Sequence, residues 1–421
     1  MRRSIAMLLA VLTLTGTMAL PSFAAETEET VQETAEGTET AQGEETAPAP
    51  DPAGTVSWEN LDSRIREGSL NSLILGENIS GIEGIDYDQM YEDLRRQLND
   101  IANAQWYITI MGGDSSSLDQ AYDALRDTFE DLKDGEVQAD NADVVWQLED
   151  TTNQIVSGGE TLYITLVGLE QQAADGQRGL ETIDRNLKEL RLRQELGQVS
   201  QQTVRELEQT RAETVSQLTT LNSTIRDMKI QLQNLIGEDP TGEITLGALP
   251  TREEMTWEEP VWEVPDYEAG LEAAKAASWT LRNAQITLDD AKETWDDAQS
   301  DYRASREQYL LQQAEHTWNA AQLTYQSTVQ SFETSFKNLY DSLANYEQVL
   351  ESAQSTLAWQ QTLLETAQTR YSLGLIPYSD VLTAQDNVAT AQSTVDSAWR
   401  DLFTARNNYR WAVEYGLIQG S

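Results

Sequence analysis

The 421-residue chain contains no cysteine. That excludes a disulfide framework, a thiolate metal site, a cysteine nucleophile and a lipid-acceptor cysteine near the start. It contains one histidine, His316, which without a second imidazole is expected as a solvent-facing helix or turn residue and not as a metal ligand. Basic side chains number 28 against 71 acidic ones, a formal charge of -43, and so acidic a chain repels nucleic acid and anionic membrane surfaces. Aromatic residues make up 7% of the sequence; the chain is lean in the side chains that fill globular cores, and an elongated helical protein is expected. A phosphate-binding glycine loop, a His-Glu-x-x-His pair, a calcium loop and a nucleophile with a histidine partner are all missing, so neither catalysis nor a cofactor is expected. Acidic pairs such as Asp289–Asp290 and Asp296–Asp297 read as solvated helix faces. On the inward face of a ring of subunits they would favour cations.

The first 25 residues have the layout of a signal peptide. Arg2 and Arg3 precede an apolar run from Ile5 to Leu20, and PSFAAE offers cleavage near Ala24 or Ala25; the alternative is a retained membrane anchor. Residues 26–57 are expected to be a disordered acidic linker. Ten acids lie between Glu26 and Glu59, with no base between Arg3 and Arg64, so little apolar surface is available to offset the entropy of ordering. A second linker, 237–265, carries four prolines around short strand-like pieces such as EITLGAL. It separates a first helical hairpin repeat at 58–236 from a second at 266–421.

Each repeat shows the same order of events. RQELGQVSQQTVRELEQ in the first and RYSLGLIPYSDVLTAQD in the second share a Leu-Gly break, with Gly197 and Gly374 177 residues apart and Arg193, Leu196 and Val204 matching Arg370, Leu373 and Val381. After the second break Val381, Ala384, Val388, Ala391, Val395, Ala398, Leu402, Ala405, Tyr409 and Ala412 alternate steps of three and four, the seam of a left-handed coiled coil. The first repeat follows suit from Val204 to Leu235, with polar exceptions at Arg211 and Thr214. Before the second break Leu343, Leu350, Leu357 and Leu364 recur every seven residues, with Tyr346, Ala353 and Ala367 at the complementary positions. The pattern predicts an all-α fold of long antiparallel coiled-coil arms, each pair joined at a tight turn. Gly374 would end the incoming helix, Pro377 fix the loop, and Ser379 or Asp380 cap the outgoing helix. Large residues off the seam, Trp399, Phe403 and Trp411, point to a second contact face.

This tandem pattern resembles the TolC-type outer-membrane efflux proteins over roughly Trp58 to Gly416. The resemblance implies a homotrimer whose helices form a tapering α-helical barrel, an exit duct of a tripartite efflux or type I secretion system. It also implies two partners, a periplasmic adaptor protein and an energised inner-membrane transporter. The adaptor-docking tips fall on Leu196, Gly197 and Gln198 and on Leu373, Gly374 and Leu375; the pore entrance falls on Tyr371 and Asp380. Two positions depart from the pattern: Ile376 stands where a basic latch residue is expected, and Thr383 where a second acid is. An exported structural or adhesive coiled-coil protein of the cell surface is the alternative reading.

The membrane-spanning β-hairpins of that family have no counterpart in the pattern. The 103 residues from Leu271 to Leu373 contain neither glycine nor proline, and a spanning strand needs about 9 to 11 alternating residues with a turn signal. Little or no strand is expected, apart from short pieces in the 237–265 linker. Turns are expected at Gly112–Ser117 and Lys133–Asp140, and repeat spacing places a helical bend at Leu311–His316. Location in the cell envelope, at the outer membrane or in the periplasm, follows from the resemblance alone.

Overall fold

A computed structural model describes residues 50–52, 54–251, 266–303 and 307–418. The signal peptide, most of the acidic linker and the later part of the 237–265 linker lie outside those residues. Among the described residues the fold is all-α with two two-residue strands. In chain order the elements are β1 (Thr55–Val56), α1 (Leu61–Gly68), α2 (Leu70–Glu83), α3 (Tyr87–Ile110), α4 (Ser116–Asp134), α5 (Glu136–Glu195) and α6 (Gln201–Leu235). They continue with β2 (Thr245–Leu246), α7 (Tyr267–Ala277), α8 (Trp279–Tyr302), α9 (Gln308–Ser372) and α10 (Tyr378–Tyr415). The chain divides into two compact units, one containing Ile74–Glu149 and the other joining Pro50–Leu73 to the residues from Asp150 on.

The larger unit is built on two long hairpins, α5 with α6 and α9 with α10. At 1.5 Å per residue, the stretch of α5 from Asp150 to Glu195 and the 65 residues of α9 give arms of roughly 70 and 100 Å. Every seam position from Val381 to Ala412 is buried or half-buried, as is every one from Val204 to Leu235. Leu350 and Ala353 of α9 pack against Ala398 and Leu402 of α10, leucine from one arm over alanine from the other; each buried leucine contributes about 1.5–3 kcal/mol. Arg211 occupies its polar seam position by pairing with Asp184 of α5, Nε to Oδ1 at 2.5 Å and Nη2 to Oδ2 at 3.3 Å. That hydrogen-bonded guanidinium holds the Asp184 carboxyl below the usual carboxylate range. Tyr346 departs from expectation: the tyrosine faces outward and the neighbouring Glu347 is half-buried.

The second contact face of α10 is present. Trp411 and Phe403 are fully buried. Trp411 lies in a core with Val56, Leu61, Ile65, Val156 and Leu232, while Phe403 meets Trp58 edge-on at 4.8 Å between ring centroids. Thus α10 packs on α9 through its alanines and on the first repeat through its aromatics.

Each repeat also brings the end of its last helix back onto a kink near its start. Ser69 and Ser278, both in extended conformation, separate α1 from α2 and α7 from α8. Gly237, after α6, lies against Gly68, and Gly416, after α10, lies against Ser278. A Cβ on Gly237 would fall 2.3 Å from the Gly68 carbonyl oxygen, and one on Gly416 would fall 2.3 Å from the Ser278 Cα.

Three sequence expectations require correction. The acidic linker was expected to run disordered to residue 57, yet its end is ordered. β1 pairs in parallel with β2, Thr55 opposite Thr245 and Val56 opposite Leu246, and the Tyr163 hydroxyl of α5 lies 3.0 Å from the Val56 carbonyl oxygen and 2.8 Å from that of Gly247. Asp51 anchors the entry. Partial burial acts to raise its pKa, but hydrogen bonds from the Ser57 hydroxyl and amide, Asn60 and Arg64 prevail and hold it at about 2. The bend expected at Leu311–His316 is not there: α9 begins at Gln308 and runs unbroken through those residues, and α8 ends earlier, at Tyr302. Helix-forming composition from Leu271 onward also hides the kink at Ser278, whose hydroxyl accepts from the Leu281 amide at 3.4 Å.

The smaller unit contains the antiparallel hairpin of α3 and α4. Asp86 caps α3, its carboxylate accepting from the Gln89 amide at 2.9 Å. Tyr91 stacks on Phe129 at 4.8 Å, Gln105 donates to Asp119 at 2.8 Å, and the chain reverses through residues 111–115 near the expected turn. At Lys133–Asp140 only Gly135, with φ +85, interrupts the helix.

Candidate functional site

The two breaks adopt the same backbone. In the first, the Gly197 amide donates to the Gln194 carbonyl at 2.9 Å and the Gln198 amide to the Arg193 carbonyl at 2.8 Å. In the second, the Gly374 amide donates to Tyr371 at 2.8 Å and the Leu375 amide to Arg370 at 2.9 Å. This is the Schellman arrangement, which needs a left-handed residue one place past the helix end, and Gly197 and Gly374 supply φ of +74° and +72°. Only a residue without a side-chain Cβ reaches that region without cost. Each glycine faces open space, so the conformation and not crowding requires it.

Before each glycine stands a leucine that the protomer leaves uncovered. Leu196 is 65% exposed and Leu373 68%; Gln198 and Leu375 beyond the glycines are exposed too. Val199 and Ile376, the next matching pair, are half-buried. Each tip thus offers an apolar knob beside a glycine. The structure places the six residues expected from the resemblance in two equivalent triplets, one per hairpin.

The second tip differs from the first in its outgoing side. Ser200 caps α6 by accepting from the Thr203 amide at 3.2 Å, but the matching position before α10 is Pro377, which has no such side chain. Ser379 and Asp380 do not cap: both lie inside the first turn of α10, where the helix dipole favours the Asp380 carboxylate. Asp380 is exposed. Tyr371, also exposed, sits 5.3 Å from Tyr378 between ring centroids, closing the turn across its base. Tyr378 was not singled out from the sequence, because the matching first-repeat pair, Gln194 and Gln201, is not aromatic.

Polar contacts join the two hairpins behind the tips. Arg185 of α5 pairs with Asp386 of α10, and Thr182 reaches the same carboxylate at 3.4 Å. Further along, Asp175 accepts from Ser393, and Arg400 donates to Gln171 at 2.5 Å. The seams inside each hairpin are mainly apolar; the seam between them is polar toward the tips, from Gln171 to Arg185, and apolar beyond, where Phe403 and Trp411 pack. Where α5 meets α10 deeper in the protein, Glu160 is buried and accepts from Asn407 at 2.6 Å, from Arg410 at 2.8 Å and from the Trp411 indole.

No family profile matches the sequence, and no curated protein does. Solved structures match along most of its length. The outer membrane protein VceC from Vibrio cholerae is 14% identical with a TM-score of 0.50, covering 85% of this chain and 95% of that one. The outer-membrane channel OprN is 13% identical with a TM-score of 0.52, covering 86% and 90%. The MtrE outer membrane channel of Neisseria gonorrhoeae, in its open state, is 14% identical with a TM-score of 0.52, covering 85% and 89%. At such identities the likeness establishes the fold, which is that of TolC-type outer membrane channels.

Proposed function

We propose that this protein is the passive exit duct of a tripartite efflux or type I secretion system in the cell envelope. Three copies close a ring. The tips Leu196-Gly197-Gln198 and Leu373-Gly374-Leu375 dock a periplasmic adaptor, a separate inner-membrane transporter supplies the energy, and Tyr371 and Asp380 line the entrance. The two repeats, 58–236 and 266–421, each contribute one hairpin, and the signal peptide at 1–25 directs export.

The observation that carries this reading is the pair of matched tips at the ends of long arms. Surface chemistry supports ring closure. Since α5 and α10 bond to each other, α6 and α9 are the outer members of the four long helices, and α9 leaves Tyr346, Val349, Trp359 and Leu363 exposed. Such an uncovered apolar stripe suits the flank of a neighbouring copy, a head-to-tail contact that closes a ring if its rotation permits. Negative-stain microscopy of the purified protein tests the assembly. A trimer with a hollow bore is expected; a monomer or a solid rod-like dimer would instead identify a structural surface protein.

A Gly374→Val variant tests the docking role. Its Cβ meets nothing, so the damage is the left-handed backbone, on the order of 1–2 kcal/mol, confined to the tip. Helix content should stay unchanged while export by cells carrying the variant falls by about tenfold, the effect of a lost contact near 1.4 kcal/mol. Undiminished export from a folded variant would remove the tips from the docking surface.

A further inference from the structure

The hairpin of α3 and α4 carries side chains that its own packing does not use. From Ile101 to Gly113 the sequence IANAQWYITIMGG has no charged residue, in a chain where 24% of residues are charged. Within that run Trp106, Tyr107, Ile110 and Met111 are 61%, 60%, 63% and 85% exposed. Steps of three and four put them on one side of the last turns of α3, with the Trp106 and Tyr107 rings 5.1 Å apart. Together they form an apolar patch on the order of 500 Å², at the upper end of what monomeric proteins leave uncovered.

We propose that this patch seats in the boundary between headgroups and acyl chains of a neutral lipid bilayer, lying along the surface and not crossing it. Trp106 and Tyr107 have the apolar body and polar tip that suit this boundary, and Ile110 and Met111 add hydrocarbon contact. The run has no charge to strip of water. Its flanking acids, Asp100 and Asp114, with Asp119 of α4, favour zwitterionic over anionic lipid. None of the helices among the described residues is long and apolar enough to cross a membrane, so the contact is interfacial. The polar turn that follows, Gly112 to Ser117, remains among the headgroups.

The absence of native cysteine makes the test local. Asn103 is exposed and lies one turn before Trp106 on the same side of α3. An Asn103→Cys variant of the full chain carries a single environment-sensitive fluorophore there, and is mixed with phosphatidylcholine vesicles containing spin-labelled lipid. A blue-shifted emission, quenched about twofold or more, is expected. Adding Trp106→Ser, Ile110→Ser and Met111→Ser should raise the lipid concentration needed for half the effect roughly tenfold or more, from the apolar area lost. A local label is needed because the apolar run Ile5 to Leu20 can hold the chain on vesicles by itself. A label that stays accessible to water, or a triple variant that responds as the parent does, overturns the proposal. So does a label already shielded before vesicles are added, which would assign the patch to a second copy. The duct reading is tested separately, because a hairpin that remains in water leaves the docking tips untouched.

Discussion

A Glu160→Ala variant is expected to lose about 3–5 kcal/mol of stability, the combined cost of removing a buried carboxylate from its half-buried arginine and from two buried neutral donors. The carboxylate is 3% exposed and is the common acceptor for Asn407, Arg410 and the Trp411 indole. Truncation leaves the buried Asn407 and Trp411 donors without an acceptor, where water does not replace it, and the half-buried Arg410 guanidinium without its partner. Arg410 also lies 5.0 Å above the Trp411 ring, so its displacement disturbs the aromatic core that joins α10 to the first repeat. Urea titration followed by circular dichroism should show the midpoint falling sharply. A Glu160→Met, Arg410→Met double variant should lose less than Glu160→Ala, because no unpaired charge remains. A loss below about 1 kcal/mol for the single variant would show that this cluster does not clamp the two repeats.

The second large effect comes from comparing two glycines with the same backbone. Gly237 and Gly374 both have φ of +72°. At Gly374 an added methyl group meets open space, whereas at Gly237 it would lie 2.3 Å from a carbonyl oxygen and 3.0 Å from the carbonyl carbon of Gly68. Gly374→Ala should therefore cost only the left-handed conformation, about 1–2 kcal/mol. Gly237→Ala adds overpacking against backbone that has no rotamer to change, a further 1–3 kcal/mol or so. The difference between the two midpoints isolates the close approach at the base of the first repeat. Equal losses would mean that α1 and the end of α6 can separate without consequence.

The features legible in the sequence are those that repeat. The seam from Val381 to Ala412 is set by a period sustained over many turns, and the paired tips by a glycine whose conformation few residues share. The misses are local and occur once. Repeat spacing places a bend at Leu311–His316, but the 177-residue offset that relates the tips does not carry along the incoming helices, where no glycine or proline marks the end of α8 at Tyr302. β1 has two residues, too few for alternation to register, and the acidic composition before it masked a segment that Asp51, Arg64 and Tyr163 hold in place. Glu160 could not be told from the many other acids of this chain. Its importance comes from Asn407, Arg410 and Trp411, about 250 positions away, and nothing in either local pattern announces the meeting.

The pairing of β1 with β2 has a consequence for how the chain becomes a protein. Its partners stand 190 positions apart, and closing so long a loop costs only about 0.6 kcal/mol more than closing one half its length. Thermodynamically the distance is minor, but in time it is not. A chain that emerges from its amino end presents Val56 long before Leu246 exists to meet it, and the first hairpin can form in the interval. The strand pair then acts as a late fastening: the opening segment is secured only after the whole first repeat has been made, and a chain stopped short of residue 245 keeps that segment loose.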